Sequence, residues 1–208
     1  METIDRYLDA LASSAPTPGG GSAATIVAAL GAALVAMVAR ICAENPRYAA
    51  HRELATRLVA ASDRLRRDLT LARERDEKAF ARVMSAQGLP REAPGEADAR
   101  ARALEAALHD AAEAPLRACE LVIDVMRLAA QALQIPNKSL ASDLGCAAEF
   151  ASSALAACSY NVRVNHRYMH DTRAIGEQAK MLARYENEAG AILAGVRQAV
   201  NAALGSRT

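Results

Sequence analysis

Apolar residues recur at every third or fourth position through most of this chain, and no stretch alternates apolar and polar over the length of a strand. Ile4, Tyr7, Leu8 and Leu11 fall on one side of a short helix predicted over Thr3 to Ser14. Pro16 and Pro18 end it, and Gly19 to Gly21 read as a loop. From Ser22 to Ala43 the chain is Ala, Val, Ile and Leu, with no charge before Arg40, until Glu44-Asn45-Pro46 breaks the run. Arg47 to Gln87 is a long charged helix carrying Leu54, Leu58, Leu65, Leu69, Phe80, Val83 and Met84 on its apolar side. At 1.5 Å per residue it is about 60 Å long. Gly88 stops it, and residues 90–97 form a loop. Asp98 is an N-cap candidate for a helix to Gln134, in which Pro115 is expected to make a kink or a split. After "QIPNKS", Ser139 or Ser142 is placed to cap a helix to about His170. Thr172 to Leu204 is the last helix, with Gly190 and Gly195 allowing close contact. The pattern predicts an all-α fold: a single domain over 1–208, built as an elongated, mostly antiparallel helical bundle.

Composition sharpens that picture. Hydrophobic residues are 52% of the chain but aromatic ones only 3%, so alanine carries much of the core and helices can approach closely. An alanine-filled core buries little area per residue, which favours an oligomer. The formal charge of +1 argues against a nucleic-acid partner, which normally needs a basic excess. Cys42, Cys119, Cys146 and Cys158 are widely spaced and form no CxxC, so they read as reduced thiols in a cytoplasmic protein. The run from Ser22 to Ala39 is long enough for a membrane span, but it lacks an aromatic belt and reads as a buried central helix, with no membrane partner expected.

Several residues are candidates for chemistry. Three glycines before a helix can turn backbone amides towards an anion, or can simply let two helices cross closely. The pattern is neither a Walker loop nor a dinucleotide fingerprint. In "RERDEKAFARVM", Asp76, Phe80 and Met84 are one turn apart, which places Asp76 either at the edge of an apolar face, as a desolvated base, or on a charged surface. Asp143 is either an ordinary helix-start residue or a second carboxylate in a small, apolar setting. Asn161 and Asn165 share one helical face among apolar neighbours, where they face a cleft or bond between helices. His166 and His170 have metal-compatible spacing but no third ligand at a telling distance, so no metal is expected.

The blocks "APTPGGGSAA" with "GAALVAMVAR", then "DEKAFARVM" with "GLP", "EAPL", "ASDLG" and "YNVRVN" resemble, in this order, the cyclodeaminase/cyclohydrolase family. That family includes methenyltetrahydrofolate cyclohydrolases and the cyclodeaminase part of formiminotransferase-cyclodeaminase. The resemblance implies an all-helical homodimer acting on a folate one-carbon unit. Its matching positions are Pro18, Gly19, Gly20, Gly21, Ser22, Asp76, Asp143, Asn161 and Asn165. It implies hydrolysis of 5,10-methenyltetrahydrofolate, with formiminotetrahydrofolate cyclodeamination as the alternative.

On that footing chemistry assigns Asp76 or Asp143 as the base, with no cofactor beyond the folate substrate, and gives the glutamate tail to Arg40, Arg47 or Arg163. One block departs from the family. "CAENPRY" keeps Arg47 and Tyr48 but has Glu44-Asn45-Pro46 where a glycine and basic residues are usual. That departure leaves room for a divergent, non-catalytic helical module that binds a ligand or a protein.

Overall fold

The computed structural model describes residues 3–205. Among these, six α-helices account for the architecture, and there is no strand. They are α1 (Ile4–Leu11), α2 (Gly20–Glu44), α3 (Arg52–Gln87), α4 (Glu96–Ala132), α5 (Ala141–His166) and α6 (Thr172–Gly205). Short 3-10 turns at Pro46–His51 and Lys138–Leu140 lead into α3 and α5.

The helix ends differ from the sequence reading for identifiable reasons. The Thr3 hydroxyl accepts the Arg6 amide and caps α1, which stops at Leu11 rather than Ser14. α2 starts at Gly20, so Gly20 and Gly21 are helical rather than loop. Asn45 accepts the Arg47 amide at 3.0 Å and Pro46 takes the first position of the 3-10 turn, which delays α3 to Arg52. The N-cap of α4 is Gly95, in the left-handed region at φ 84°, and not Asp98. Leu140 precedes α5; Ser139 lies in the 3-10 turn and Ser142 inside the first helical turn. α5 ends at His166, and the Asp171 carboxylate then caps α6 by accepting the amides of Arg173 and Ala174.

Pro115 does not split α4. The proline removes the amide that would bond to the carbonyl of Ala111, four residues back. The side-chain amide of Asn165 on α5 donates to that carbonyl at 2.9 Å. A residue from a neighbouring helix thus fills the gap, and α4 runs on for 37 residues.

Sequence neighbours pack antiparallel. Arg40 pairs with Asp63 while Gly21 faces Asp76, which sets α2 against α3. Arg82 meets Asp110, and Arg100 donates to the Gln87 carbonyl, which sets α3 against α4. Arg163 meets Glu186, and Arg197 meets Glu149, between α5 and α6. Along the centre α2 presents Ala24, Ala28, Ala32, Val35, Ala36 and Ala39, all buried. Small side chains let it lie close to α5. A Cβ at Gly31 would meet the Ala147 carbonyl oxygen at 2.9 Å and Val125 at 3.4 Å. α2 is the one helix among the described residues that is long and apolar enough to cross a membrane, and its inner face holds the middle of the bundle.

Candidate active site

The start of α2 is stitched to the middle of α3. Gly19 supplies no side chain to cap α2. The Asp76 carboxylate of α3 lies against that open helix start, where the Ser22 amide favours its charged form. It lies so close to Gly21 that a Cβ there would fall 2.4 Å from Oδ2 and 2.5 Å from Oδ1. Only glycine fits at this position beside the carboxylate. Gly19 faces open space, and a Cβ at Gly20 would meet only the Asn161 amide nitrogen, at an ordinary 3.7 Å. The close contact within the three-glycine run is thus with a side chain, at Gly21, and the close approach to another helix's backbone is at Gly31. Gly21 accommodates a functional group, and Gly31 allows a close helix crossing.

Burial pushes the Asp76 carboxyl up to about 6, the Glu77 charge adds to the rise, and the Ser22 amide opposes both. It is a carboxylate that is ionised at neutral pH yet holds a proton readily. Beside it the Ser22 hydroxyl donates to Glu77 Oε1 at 2.8 Å, and the Tyr7 hydroxyl lies 2.9 Å from Ser22 Oγ. The Arg73 guanidinium lies 5.4 Å from the Tyr7 ring centre, and its Nε is 4.0 Å from Glu77. Cys158 on α5 is buried nearby, its thiol pushed up by a hydrogen bond with Cys119, by burial and by the charges of Cys119 and Asp76.

α2 begins at Gly20, whereas α3 runs about 16 Å past Asp76 and α5 continues past Asn161. Beyond the end of α2 the two helices leave apolar side chains partly open to solvent. Phe80 and Met84 continue the Asp76 side of α3 one and two turns on, Tyr160 and Val164 lie near the end of α5, and Tyr168 lies in the turn after it. Asn161 donates to the Ala157 carbonyl of its own helix, and Asn165 donates to Ala111 and to the Asn161 carbonyl. The Asp76 carboxylate is thus partly buried beside Gly21 at this end of the bundle. A groove of about 510 Å³ between α1, α2 and α3 adjoins it through Tyr7 and Arg73.

The sequence-predicted residues divide between the two ends of the bundle. Gly19, Gly20, Gly21, Ser22, Asp76, Asn161 and Asn165 come together, and Pro18 precedes them, joined to Thr17 by a cis peptide bond. Asp143 does not join them. It sits in the first turn of α5, about 27 Å along that helix from Asn161. Arg40 is about 30 Å along α2 from Gly20 and is paired with Asp63. Tyr48 is core, buried among Val38, Cys42 and Leu58. Arg47 is exposed beside it, and the unusual "AENP" segment serves the Asn45-capped turn at this far end. Arg163 is held on α6 by two bonds to Glu186. His166 bonds to Gln178 at 2.8 Å, and His170 lies beyond the end of α5.

Tyr7, Arg73 and Glu77 escaped the sequence reading as members of this cluster. For Glu77 and Arg73 the signal was adjacency to Asp76 within "RERDEK"; Tyr7 looked like one more apolar position on a short helix.

Residues 3–184 match the model of a family described as formiminotransferase-cyclodeaminase. Over 191 residues, 92% of each chain, the sequence is 39% identical to a methenyltetrahydrofolate cyclohydrolase from Methylorubrum extorquens. It is 34% identical over 154 residues to the formimidoyltransferase-cyclodeaminase of Rattus norvegicus, matching 74% of this chain but 28% of that longer protein. In structure it is similar to a formiminotetrahydrofolate cyclodeaminase from Thermotoga maritima, with a TM-score of 0.88 and 25% identity over 98% of both chains.

Proposed function

The chain belongs to the formiminotransferase-cyclodeaminase family, and on that footing we propose that it is a methenyltetrahydrofolate cyclohydrolase, converting 5,10-methenyltetrahydrofolate to 10-formyltetrahydrofolate. The observation that carries this reading is the 39% identity to a cyclohydrolase over nearly the whole of both chains. The geometry around Asp76 agrees with it.

In the substrate one carbon bridges N5 and N10 as a cation. Water attacks that carbon and gives up a proton to Asp76. The neutral carbinol then collapses: the C–N5 bond breaks, Asp76 returns its proton to N5, and the hydroxyl proton leaves to solvent as the formyl C=O forms. One proton is released overall. The carboxylate's charge also favours the cationic reactant beside it. Asn161 and the Gly19–Gly21 backbone orient the folate head, while Phe80 or Tyr160 gives its ring a face to stack on. Because the electrophile is already a cation, we assign the reaction no metal and no cofactor. We also propose a homodimer, favoured by the exposed apolar stripe of Leu30, Met37 and Ile41 on α2. The free cysteines suit a reducing cytoplasm, and neither nucleic acid nor membrane is assigned as a partner.

The decisive experiment follows loss of methenyltetrahydrofolate absorbance against the uncatalysed rate. No acceleration overturns the reading. The likeness to the Thermotoga maritima cyclodeaminase supports a second reading, in which N10 attacks a formimino carbon and ammonia leaves. Ammonia release from formiminotetrahydrofolate, faster than methenyl hydrolysis, identifies that one.

A further inference from the structure

The two carboxylates of Asp76 and Glu77 lie side by side, yet only Glu77 is tied to α1. Glu77 Oε1 accepts a hydrogen bond from the Ser22 hydroxyl at 2.8 Å. With that proton committed, the 2.9 Å contact between Tyr7 and Ser22 has the tyrosine as donor. Ser22 is wholly buried, so the chain from Tyr7 through Ser22 to Glu77 is shielded from water along its middle. Arg73 lies against both ends of it, over the Tyr7 ring and 4.0 Å from Glu77.

We propose that Glu77 is a positioning residue of the active site: clasped to the start of α2 through Ser22, and through Ser22 to Tyr7 of α1, it holds a second negative charge beside Asp76 and ties that carboxylate's surroundings to the docking of α1. This deepens the cyclohydrolase reading and rests on it for its kinetic consequence. A charge held beside the base makes it a stronger proton acceptor; the same charge free to swing into water is screened. The charged and titratable groups that bear on Asp76 are Glu77 of α3 and Cys158 of α5, with Cys119 of α4 behind the thiol, while Arg73 of α3 and Tyr7 of α1 reach Glu77 and Ser22. α2 brings the Ser22 amide. Among the described acidic residues, Glu77 is the one whose charge bears on the base.

The test compares the full-length wild type with Glu77→Gln, Glu77→Asp, Tyr7→Phe and, as a charge control, Glu74→Gln. Glu74 lies on the exposed side of α3 opposite Lys78. Two quantities are read: turnover of methenyltetrahydrofolate across pH, and the titration of the Asp76 carboxyl carbon by NMR. In Glu77→Gln the acid limb moves to lower pH, so that turnover near pH 5.5 relative to that near pH 8 rises about twofold or more. Glu77→Asp, which keeps the charge but draws it back from Ser22, moves the limb by less than Glu77→Gln, and Glu74→Gln leaves it in place. Tyr7→Phe moves it in the same direction by less.

An unchanged limb in Glu77→Gln, or an equal move in Glu74→Gln, overturns the proposal. If Glu77→Gln does not fold, Tyr7→Phe decides, and an unmoved limb there overturns it. If the wild type does not hydrolyse methenyltetrahydrofolate, the cyclohydrolase reading fails by itself. The Asp76 resonance then decides this inference: titration at lower pH in Glu77→Gln upholds it, and identical titration overturns it.

Discussion

Asn165 donates its side-chain amide to the backbone carbonyl of Ala111, which Pro115 leaves without its helical partner. An asparagine in a block shared with a folate-acting family thus serves the architecture, letting α4 run unbroken behind the site. Asn165→Ala leaves the Ala111 carbonyl unsatisfied and costs about 1–3 kcal/mol. Pro115→Ala restores the missing amide, so Asn165→Ala costs less in that background. A double-mutant cycle by urea unfolding is expected to give a coupling of roughly 0.5 kcal/mol or more. Strict additivity means that the two residues do not compensate for one another.

The glycines separate by position. Gly21→Ala drives a methyl group into the Asp76 carboxylate, which must move off the start of α2. Turnover falls roughly tenfold or more, because the base leaves its place. Gly20→Ala meets only an ordinary contact with Asn161 and keeps activity within about threefold, since nothing there has to move. Gly20→Val, bulkier at the rim, is expected to weaken folate binding before it harms folding. Circular dichroism and initial rates on each variant check the order. Gly20→Ala worse than Gly21→Ala contradicts the geometry.

Gly31→Ala tests the other use of glycine. Its methyl meets a backbone carbonyl on α5 at 2.9 Å, and a carbonyl inside a helix cannot rotate away. The helices must separate, at a cost of about 1–3 kcal/mol. The melting temperature drops while the methenyltetrahydrofolate KM of the folded fraction stays near wild type, since Gly31 is three turns from Gly21.

The fold was legible because helical periodicity and alanine abundance are properties of a sequence read one segment at a time. The long Leu54-to-Met84 face and the apolar run after the glycines translate directly into α3 and α2. What resisted was any feature settled between segments. Nothing local to Pro115 announces that Asn165, 50 residues on, will repair its helix. Nothing local to Gly20 and Gly21 announces that Asp76 will lie against them, and this is why two helical glycines read as a loop. Asp143 and Asp76 look equally suited in one dimension, and antiparallel packing of α2 and α5 sends them to opposite ends. Tyr7 was hidden because a tyrosine on an apolar face shows its ring in the pattern and not its hydroxyl.

Asp76 carries the sharpest prediction, because stability and activity respond to it with opposite sign. Its carboxyl stands at about 6 in the fold against an ordinary 3.8, with burial the largest cause and Glu77 next. A raised carboxyl stabilises the fold fully below the ordinary value, and that contribution is lost as pH rises through about 6. At neutral pH the native protein therefore carries a charge it holds at a cost. Asp76→Asn removes that charge while its side-chain oxygen can still accept the Ser22 amide. The variant is expected to gain about 1–3 kcal/mol over wild type at pH 7.5, after allowing for solvent at this half-buried site, and to gain little near pH 4. Its turnover falls about 10²–10⁴-fold, because an amide does not take water's proton. Wild-type turnover should decline on the acid side with a midpoint near 6, the value at which Asp76 takes up a proton. Asp143→Asn, in the first turn of α5, shifts stability by about 1 kcal/mol or less and leaves turnover nearly intact. Melting curves and rates measured together from pH 4 to 8 decide the matter. An Asp76→Asn enzyme of near-normal turnover would show that the base lies elsewhere, whatever its stability did.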